Sequence, residues 1–370
     1  MLINVGYALI GLDLELVQEV NIEVINGAIT HIGRGFASNA DITLRTGIAV
    51  PALVNAHLHI LDYAFPEYDA SVKSLEEAVS EPHGLKHGLL ATLSTDDIAQ
   101  VCRKVFLKML KAGVTTAIIF SEIPQAIDLI RAVSAESGGS TVVLGRPRGD
   151  IGVEKVLSVA DGLGLDSPLR YSKEELLRMR RYCRASGKII ATHVAETKSA
   201  HERGDFELAV NYLDADIIVH GVYLTETEIE TVARMGKTIV VCPRSNMRFG
   251  VGLPPIAEFL SHGVNVLVGT DNAGVVEPDV WRELELVYDI LRLRSLNVDA
   301  KGVLKMATVN IEKVQGLGVG SAIGEGRRAN FIILDAEDMG VSRSRNVYAT
   351  IVRRGGGSKV LKVVKGANLW

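Results

Sequence analysis

Gly47-Ile-Ala-Val-Pro-Ala-Leu-Val-Asn-Ala-His-Leu-His59 is an apolar run that ends in two histidines one residue apart. Alternate side chains of an extended chain point the same way, so both imidazoles face one spot at the end of the run. By itself, a His-x-His pair at a strand end reads equally well as an ordinary polar terminus. Three further runs share the ending: Lys188-Ile-Ile-Ala-Thr-His193, Asp216-Ile-Ile-Val-His220 and Val264-Asn-Val-Leu-Val-Gly-Thr-Asp271. A buried histidine or aspartate needs a compensating partner, and one shared metal ion supplies it for all of them.

Outward from these runs, apolar segments alternate with amphipathic helical ones, the pattern of a parallel sheet covered on both faces. Strands are expected near 48–56, 114–120, 141–146, 156–160, 188–193, 216–220, 238–242 and 264–270. Thr95-Asp-Asp-Ile-Ala-Gln-Val-Cys-Arg-Lys-Val-Phe-Leu-Lys-Met-Leu-Lys111, with Gly113 beyond it, shows the helical grammar of capping residue, apolar stripe and glycine stop. Eight such units close into a (β/α)8 TIM barrel over 48–325. Barrel enzymes carry their chemistry at the carboxyl ends of the strands. His57 and His59 follow strand 1, His193 strand 5, His220 strand 6 and Asp271 strand 8, so all five converge on one mouth. Residues 1–47 read as short alternating strands around an Asn26-Gly27 hairpin turn. Residues 329–335, 348–353 and 359–364 have the same character. The two chain ends, 1–47 and 326–370, are expected to form one small β-sandwich domain.

Length and composition fit this reading, since 370 residues suit one barrel of roughly 250 plus an accessory piece. With 40 basic and 44 acidic residues and no long run of either sign, a nucleic-acid partner is not expected. Cys102, Cys183 and Cys242 are widely spaced and form no Cys-x-x-Cys pair, which points to a reducing compartment. No apolar run approaches the roughly 20 residues of a membrane span, and the amino terminus lacks the marks of a leader. The expectation is a cytoplasmic protein without a membrane partner; assembly into a homo-oligomer is left open.

The stretch 48–325 resembles the amidohydrolase superfamily, in particular its single-metal cyclic aminohydrolase branch, which includes adenosylhomocysteine, methylthioadenosine, cytosine and guanine deaminases and triazine hydrolases. The residues that carry the resemblance are Val54-Asn-Ala-His-Leu-His59, His193-Val-Ala-Glu-Thr197, His220-Gly221, Cys242-Pro-Arg-Ser-Asn-Met247 and Gly269-Thr-Asp271. Ile323-Gly-Glu-Gly-Arg-Arg-Ala-Asn-Phe-Ile-Ile-Leu-Asp335 looks like the family's return into its small domain, with Asn330 where aspartate is usual. The resemblance implies that His57, His59, His193 and Asp271 bind one divalent ion, zinc before iron, and that Glu196 and His220 act on water and substrate. Binuclear relatives add a carboxylated lysine at a strand end, and strand 4, expected at 156–160, offers none.

The chemistry makes sense of each group. Three imidazoles and a carboxylate leave a position where a bound water yields hydroxide near neutrality. Asp271 can take the proton, Glu196 can protonate a ring nitrogen, and His220 can hold the developing oxyanion. The implied reaction is hydrolytic deamination of an amino-substituted nitrogen heterocycle with release of ammonia. The alternative is hydrolysis of another carbon–nitrogen bond, such as a cyclic amide, or of a carbon–halogen bond on the same centre. Residues 60–95 form an unusually long connection after strand 1, suited to a lid. In it Tyr63, Phe65 and Tyr68 could form a stacking wall, and Lys86 and His87 polar substrate contacts, with His83 nearby. Glu122, Arg146 and Asp161, at the ends of strands 2, 3 and 4, are further substrate-binding candidates, and Ser245 and Asn246 shape the rim. Glu81-Pro-His-Gly-Leu-Lys-His-Gly-Leu-Leu lacks the tryptophan of nucleoside-deaminating relatives, whose place neither Trp281 nor Trp370 takes, and this argues against a nucleoside.

Overall fold

Val17-Gln-Glu-Val-Asn-Ile-Glu-Val24 alternates apolar and polar side chains, and Asn26 and Gly27 take φ of 52° and 81°, the left-handed pair that closes a two-residue hairpin. A computed structural model describes residues 1–80, 83–148 and 151–370. In it β1 (Leu2–Ile10), β2 (Glu15–Ile25) and β3 (Ala28–Arg34) form an antiparallel meander, and β4 (Ile42–Pro51) lies parallel to β1 on its other side.

One residue later the chain enters the parallel sheet. Its strands are β5 (Leu53–His59), β6 (Val114–Ser121), β7 (Ser140–Gly145), β8 (Gly162–Leu165), β9 (Ile189–Val194), β10 (Ile217–His220), β11 (Thr238–Val241), β12 (Asn265–Val268) and the two-residue β13 (Asp271–Asn272). Each pairs in parallel with its sequence neighbour from β5 to β12, and β13 pairs with β5, Asp271 opposite Leu58. The sheet is therefore curled. Alternate residues, among them Val54, Ala56, Ile118, Phe120, Ala191, Val219, Val240 and Leu267, form one buried cluster on its concave side. The residues between them pack outward with helices such as Thr95–Lys111, Lys173–Ala185 and Val280–Arg294. The chain then returns through β14 (Asn330–Asp335), β15 (Val360–Lys365) and β16 (Asn368–Leu369), giving one seven-stranded sheet in the order β16-β15-β14-β4-β1-β2-β3. Its own core includes Val5, Ile22, Phe331 and Val364.

Three sequence expectations need correction. The run 48–56 is two strands: residues 48–51 pair with β1 and β14 in the small sheet, and only Leu53 onward belongs to the curled sheet. The run 156–160 lies in and just after a helix, Val153–Val159, whose Val153, Val156 and Leu157 are buried at helical spacing; the strand follows it as β8. Residues 348–353 fall inside the helix Val347–Arg354, which Asn346 caps through the Ala349 N–H at 3.0 Å. Among the described residues, no helix is long and apolar enough to cross a membrane.

Candidate metal centre and active site

The strand carrying His57 and His59 is held to the other end of the sheet by a buried clasp. Asn55 Nδ2 donates to Thr270 Oγ1 at 2.8 Å, and the Thr270 N–H is shared between Asn55 Oδ1 at 3.0 Å and the His57 carbonyl at 3.1 Å. Gly269 permits this approach, since a Cβ there would stand 2.7 Å from the His57 Cβ. Beyond it Asp271 takes a left-handed backbone, φ 63°, as do His220 at 76° and Ala195 at 49°. Such conformations cost free energy for non-glycine residues, and here each lies at or beside a site residue.

His57, His59, His193 and Asp271 are all buried and bring one ligand atom each within 4.8 Å of one another. His57 Nε2 lies 3.0 Å from His193 Nε2 and 3.1 Å from Asp271 Oδ1, and His59 Nε2 lies 3.5 Å from the same oxygen. Backbone and side-chain partners set the tautomers. His193 Nδ1–H donates to the Asp166 carbonyl at 3.1 Å, and His59 Nδ1 faces Glu122 Oε1 at 2.5 Å, so Nε2 of both rings turns inward as a lone pair. Burial pushes His57 down to about 3 and His193 well below the usual histidine range, so both are neutral at physiological pH. Burial raises the Asp271 carboxyl, but the hydrogen bond from His57 and the surrounding imidazoles outweigh it and hold the group well below the usual carboxylate range. The Nε2 lone pairs of His59 and His193 converge with His57 Nε2 on a carboxylate oxygen, the donor set of a site that could hold a cation. Four ligands about 2.0–2.1 Å from a tetrahedral centre stand roughly 3.3 Å apart, and three of the pairs here stand 3.0, 3.1 and 3.5 Å apart. The residues present fit one divalent ion, and three nitrogens with one oxygen suit zinc or iron better than magnesium or calcium.

Around this cluster the side chains are held in turn. Ser245 Oγ donates to Asp271 Oδ2 at 2.5 Å, leaving Oδ1 for the centre. Asn246 Nδ2 donates to His220 Nδ1 at 3.0 Å, which directs the His220 Nε2–H inward, 3.5 Å from Glu196 Oε1. Burial pushes the Glu196 carboxyl up, with His220 opposing and Asp271 adding to the shift. Ser245 and Asn246 both sit on the helix Pro243–Arg248. Arg244 anchors it through its N–H and Nη1, 3.2 and 3.3 Å from the two carboxylate oxygens of the fully buried Glu283.

The centre opens on a chamber of about 60 Å³ lined by His59, Lys86, His87, Glu122, Arg146, Asp166, Glu196, His220, Phe249 and Asn272 among others. An annex of about 320 Å³ shares Leu75, Val79, Asp166, His193 and Glu196 with it and adds Ser167, Arg170, Thr197, Ser199 and Arg203. Lys86, His87, Glu122 and Arg146 thus stand at the chamber as expected. Their polar atoms are engaged: Lys86 with Asp62 and Glu122, His87 through Nε2–H to the Val79 carbonyl at 2.9 Å, and Arg146 Nη1 3.5 Å from Asp166.

Asp161 does not belong there. It precedes β8, at the end of the sheet opposite the histidines, and accepts from the Val143 N–H at 2.8 Å and Arg131 Nη2 at 3.1 Å. The displaced strand explains the error: the residue that follows β8 is Asp166, which sequence reasoning missed. Tyr63 and Phe65 line a separate cleft of about 780 Å³, Tyr68 is buried with its hydroxyl accepting from Asn272 Nδ2 at 2.6 Å, and His83 is exposed, so no aromatic wall forms from them at the chamber. Glu81 lies outside the described residues. Ser245 and Asn246 touch the site residues directly and are more than rim; their place in the motif beginning at Cys242 was the available signal.

A sequence profile of the amidohydrolase family matches residues 48–366. The 5-methylthioadenosine/S-adenosylhomocysteine deaminase of Thermococcus sibiricus is 29% identical over 402 residues, covering 97% of this chain and 91% of that one. A putative aminohydrolase of Methanothermobacter thermautotrophicus is 28% identical over 371 residues, covering 94% of each. The crystal structure of a zinc-bound adenosine deaminase from Xanthomonas campestris superimposes with a TM-score of 0.83 at 19% identity, over 100% of this chain and 92% of that one, a likeness of fold.

Proposed function

The chain belongs to the amidohydrolase family, and from that premise we propose that it is a single-metal aminohydrolase that deaminates an amino-substituted nitrogen heterocycle. His57, His59, His193 and Asp271 would hold the ion, with zinc the favoured metal. When bound, the ion supplies a water acidic enough to act as nucleophile near neutrality. Asp271, fixed by Ser245 through Oδ2, would ligate the ion through Oδ1 and serve as the carboxylate that takes up the nucleophile's proton. Glu196, whose carboxyl burial raises, can hold a proton and pass it to a ring nitrogen, making the adjacent carbon electrophilic. His220 presents Nε2–H, set by Asn246, to the developing oxyanion.

The observation that carries the reading is Glu196 itself: a partly buried carboxyl, its side chain 17% exposed, 3.5 Å from His220 and beside the metal-facing cluster, where deamination of an aromatic amidine needs an acid. His87, Arg146 and Asp166 are the chamber residues best placed to meet the ring. The annex, within the roughly 300–1,000 Å³ range of small-molecule pockets, would house a polar ring substituent. We read the curled sheet as a closed (β/α)8 barrel, supported by the β13–β5 pairing, with domains at 48–325 and at 1–47 with 326–370, the latter one seven-stranded sheet folded about its own core in the manner of a β-sandwich; residues 48–51 of β4 form the junction. The three cysteines are buried and unbonded, which supports a cytoplasmic setting.

The test is Glu196→Gln, with ammonia release screened across purines, pyrimidines, pterins and their nucleosides and metal content measured alongside. The variant should keep its metal and lose roughly 100- to 10,000-fold in turnover. Turnover within about threefold of the parent would remove the acid assignment.

A further inference from the structure

Lys86 is a buried cation that the proposed reaction does not use. It lies on the short helix Leu85–Leu90, in the segment that covers the chamber, with its side chain 5% exposed. Its Nζ stands 2.8 Å from Asp62 Oδ2 and 2.6 Å from Glu122 Oε1, and that same Glu122 oxygen is 2.5 Å from His59 Nδ1. All four side chains are buried, so the contacts form one continuous line from the covering helix to a metal-facing imidazole.

Two facts of charge make the order of this line matter. A carboxylate that accepts the Nδ1–H of a metal-facing histidine fixes the ring and raises the basicity of its Nε2. A carboxylate buried without a counter-charge loses more than one hydrogen bond to an imidazole returns, so it leaves such a position. Lys86, 2.6 Å away, is the main counter-charge that keeps Glu122 at His59, with Arg146 adding a weaker one. Asp62 balances the remaining charge of Lys86 and touches no metal-facing residue among the described contacts.

We propose that Lys86 is a positioning residue: it holds Glu122 on His59, so the affinity of the centre for its metal depends on the docking of the covering helix. Glu122 and Lys86 then act through His59 and are not contacts for the substrate. The inference rests on the cluster being a metal site but not on which heterocycle is turned over.

The experiment uses the full chain stripped of metal, with zinc affinity read by competition against a chromophoric chelator and the visible spectrum of the cobalt(II)-loaded protein recorded for each variant. Lys86→Met and Glu122→Gln should each weaken zinc by about 10- to 100-fold and alter the cobalt bands. The double variant should be no weaker than the weaker single one, because both substitutions cut the same link. Asp62→Asn should stay within about threefold of the parent. Should Lys86→Met fold poorly, Lys86→Met with Asp62→Asn removes the ammonium together with one carboxylate, and the same 10- to 100-fold loss is expected. Zinc affinity of the folded lysine variants within about threefold of the parent, or single losses that multiply in the Lys86→Met, Glu122→Gln double variant, would overturn the proposal. A parent that binds no zinc would instead overturn the metal site itself.

Discussion

Asn55→Leu tests how the sheet is joined beside the metal-facing strand. Leucine keeps the branching and heavy-atom count of asparagine with bulkier methyl ends, so the change removes polar partners without opening a cavity. Two hydrogen bonds disappear, to Thr270 Oγ1 and from the Thr270 N–H. The N–H keeps the His57 carbonyl at 3.1 Å, but the buried Thr270 hydroxyl loses its donor. At about 1 kcal/mol net for the bond lost by the N–H, which keeps another partner, and about 1–3 kcal/mol for the hydroxyl left unsatisfied, the cost is about 2–4 kcal/mol. With an unfolding entropy of about 2.1 cal/mol/K per residue, that is roughly a 3–5 °C fall in Tm if the chain unfolds as one unit. Denaturant unfolding of the metal-free protein is the assay, and the decisive variant is Asn55→Leu combined with Thr270→Val. Replacing both partners by apolar groups of similar shape removes the unsatisfied atom, so the double variant should be less destabilised than the two singles added together by at least about 1 kcal/mol. Strict additivity, or an Asn55→Leu cost below about 0.5 kcal/mol, would refute the clasp.

Ser245→Ala frees Oδ2 of Asp271 and should lower turnover by roughly 10- to 100-fold, the usual effect of losing a partner behind a metal ligand. Steady-state rates at matched zinc content check this, and an unchanged rate would show that Asp271 is oriented without the serine. Asp205 accepts the Ala195 N–H at 2.7 Å, and burial raises its carboxyl to about 6 from an ordinary 3.8. A carboxyl raised in the folded state contributes stability that is complete below about 3.8 and lost as pH climbs through about 6. In Asp205→Asn the amide oxygen still accepts from Ala195 and cannot ionise. The variant should match the parent near pH 4 and exceed it by up to about 3 kcal/mol above pH 7. Urea midpoints at the two pH values decide it: a difference independent of pH would remove the ionisation argument.

Much of this was legible because it is written in short-range patterns. The clustering of these side chains could be read from four apolar runs with polar endings, since a histidine or aspartate buried at the end of each needs a partner and the four can share one. What resisted reading was set by neighbours distant in sequence. β8 is Gly162-Leu-Gly-Leu165, poor in strand-forming residues because a Cβ on Gly162 would fall 2.3 Å from the Ile189 carbonyl oxygen and one on Gly164 would fall 2.8 Å from Phe120. The better strand-like text just before it, Val156-Leu-Ser-Val-Ala160, therefore drew the assignment and carried Asp161 to the wrong end of the sheet. Lys86 and Glu122 were visible as chamber residues, but that they meet each other and His59 depends on how a long connection folds back, which no local pattern encodes. Ser245 looked like rim for the same reason: its partner Asp271 belongs to another strand.

The left-handed backbone at His220 and Asp271 outlasts the chemistry it serves. Those φ angles, 76° and 63°, belong to the path of the chain at the end of β10 and the start of β13, so they would persist in a descendant that no longer bound metal. Asparagine and glycine occupy that region most readily, and β-branched residues least. Drift after loss of function would then run toward Asn or Gly at both positions, while valine and isoleucine stayed rare. A paralogue with Asn or Gly at these two places and an intact Gly269 would read as a retired hydrolase on an unchanged scaffold, recognisable by its bends after its ligands had gone.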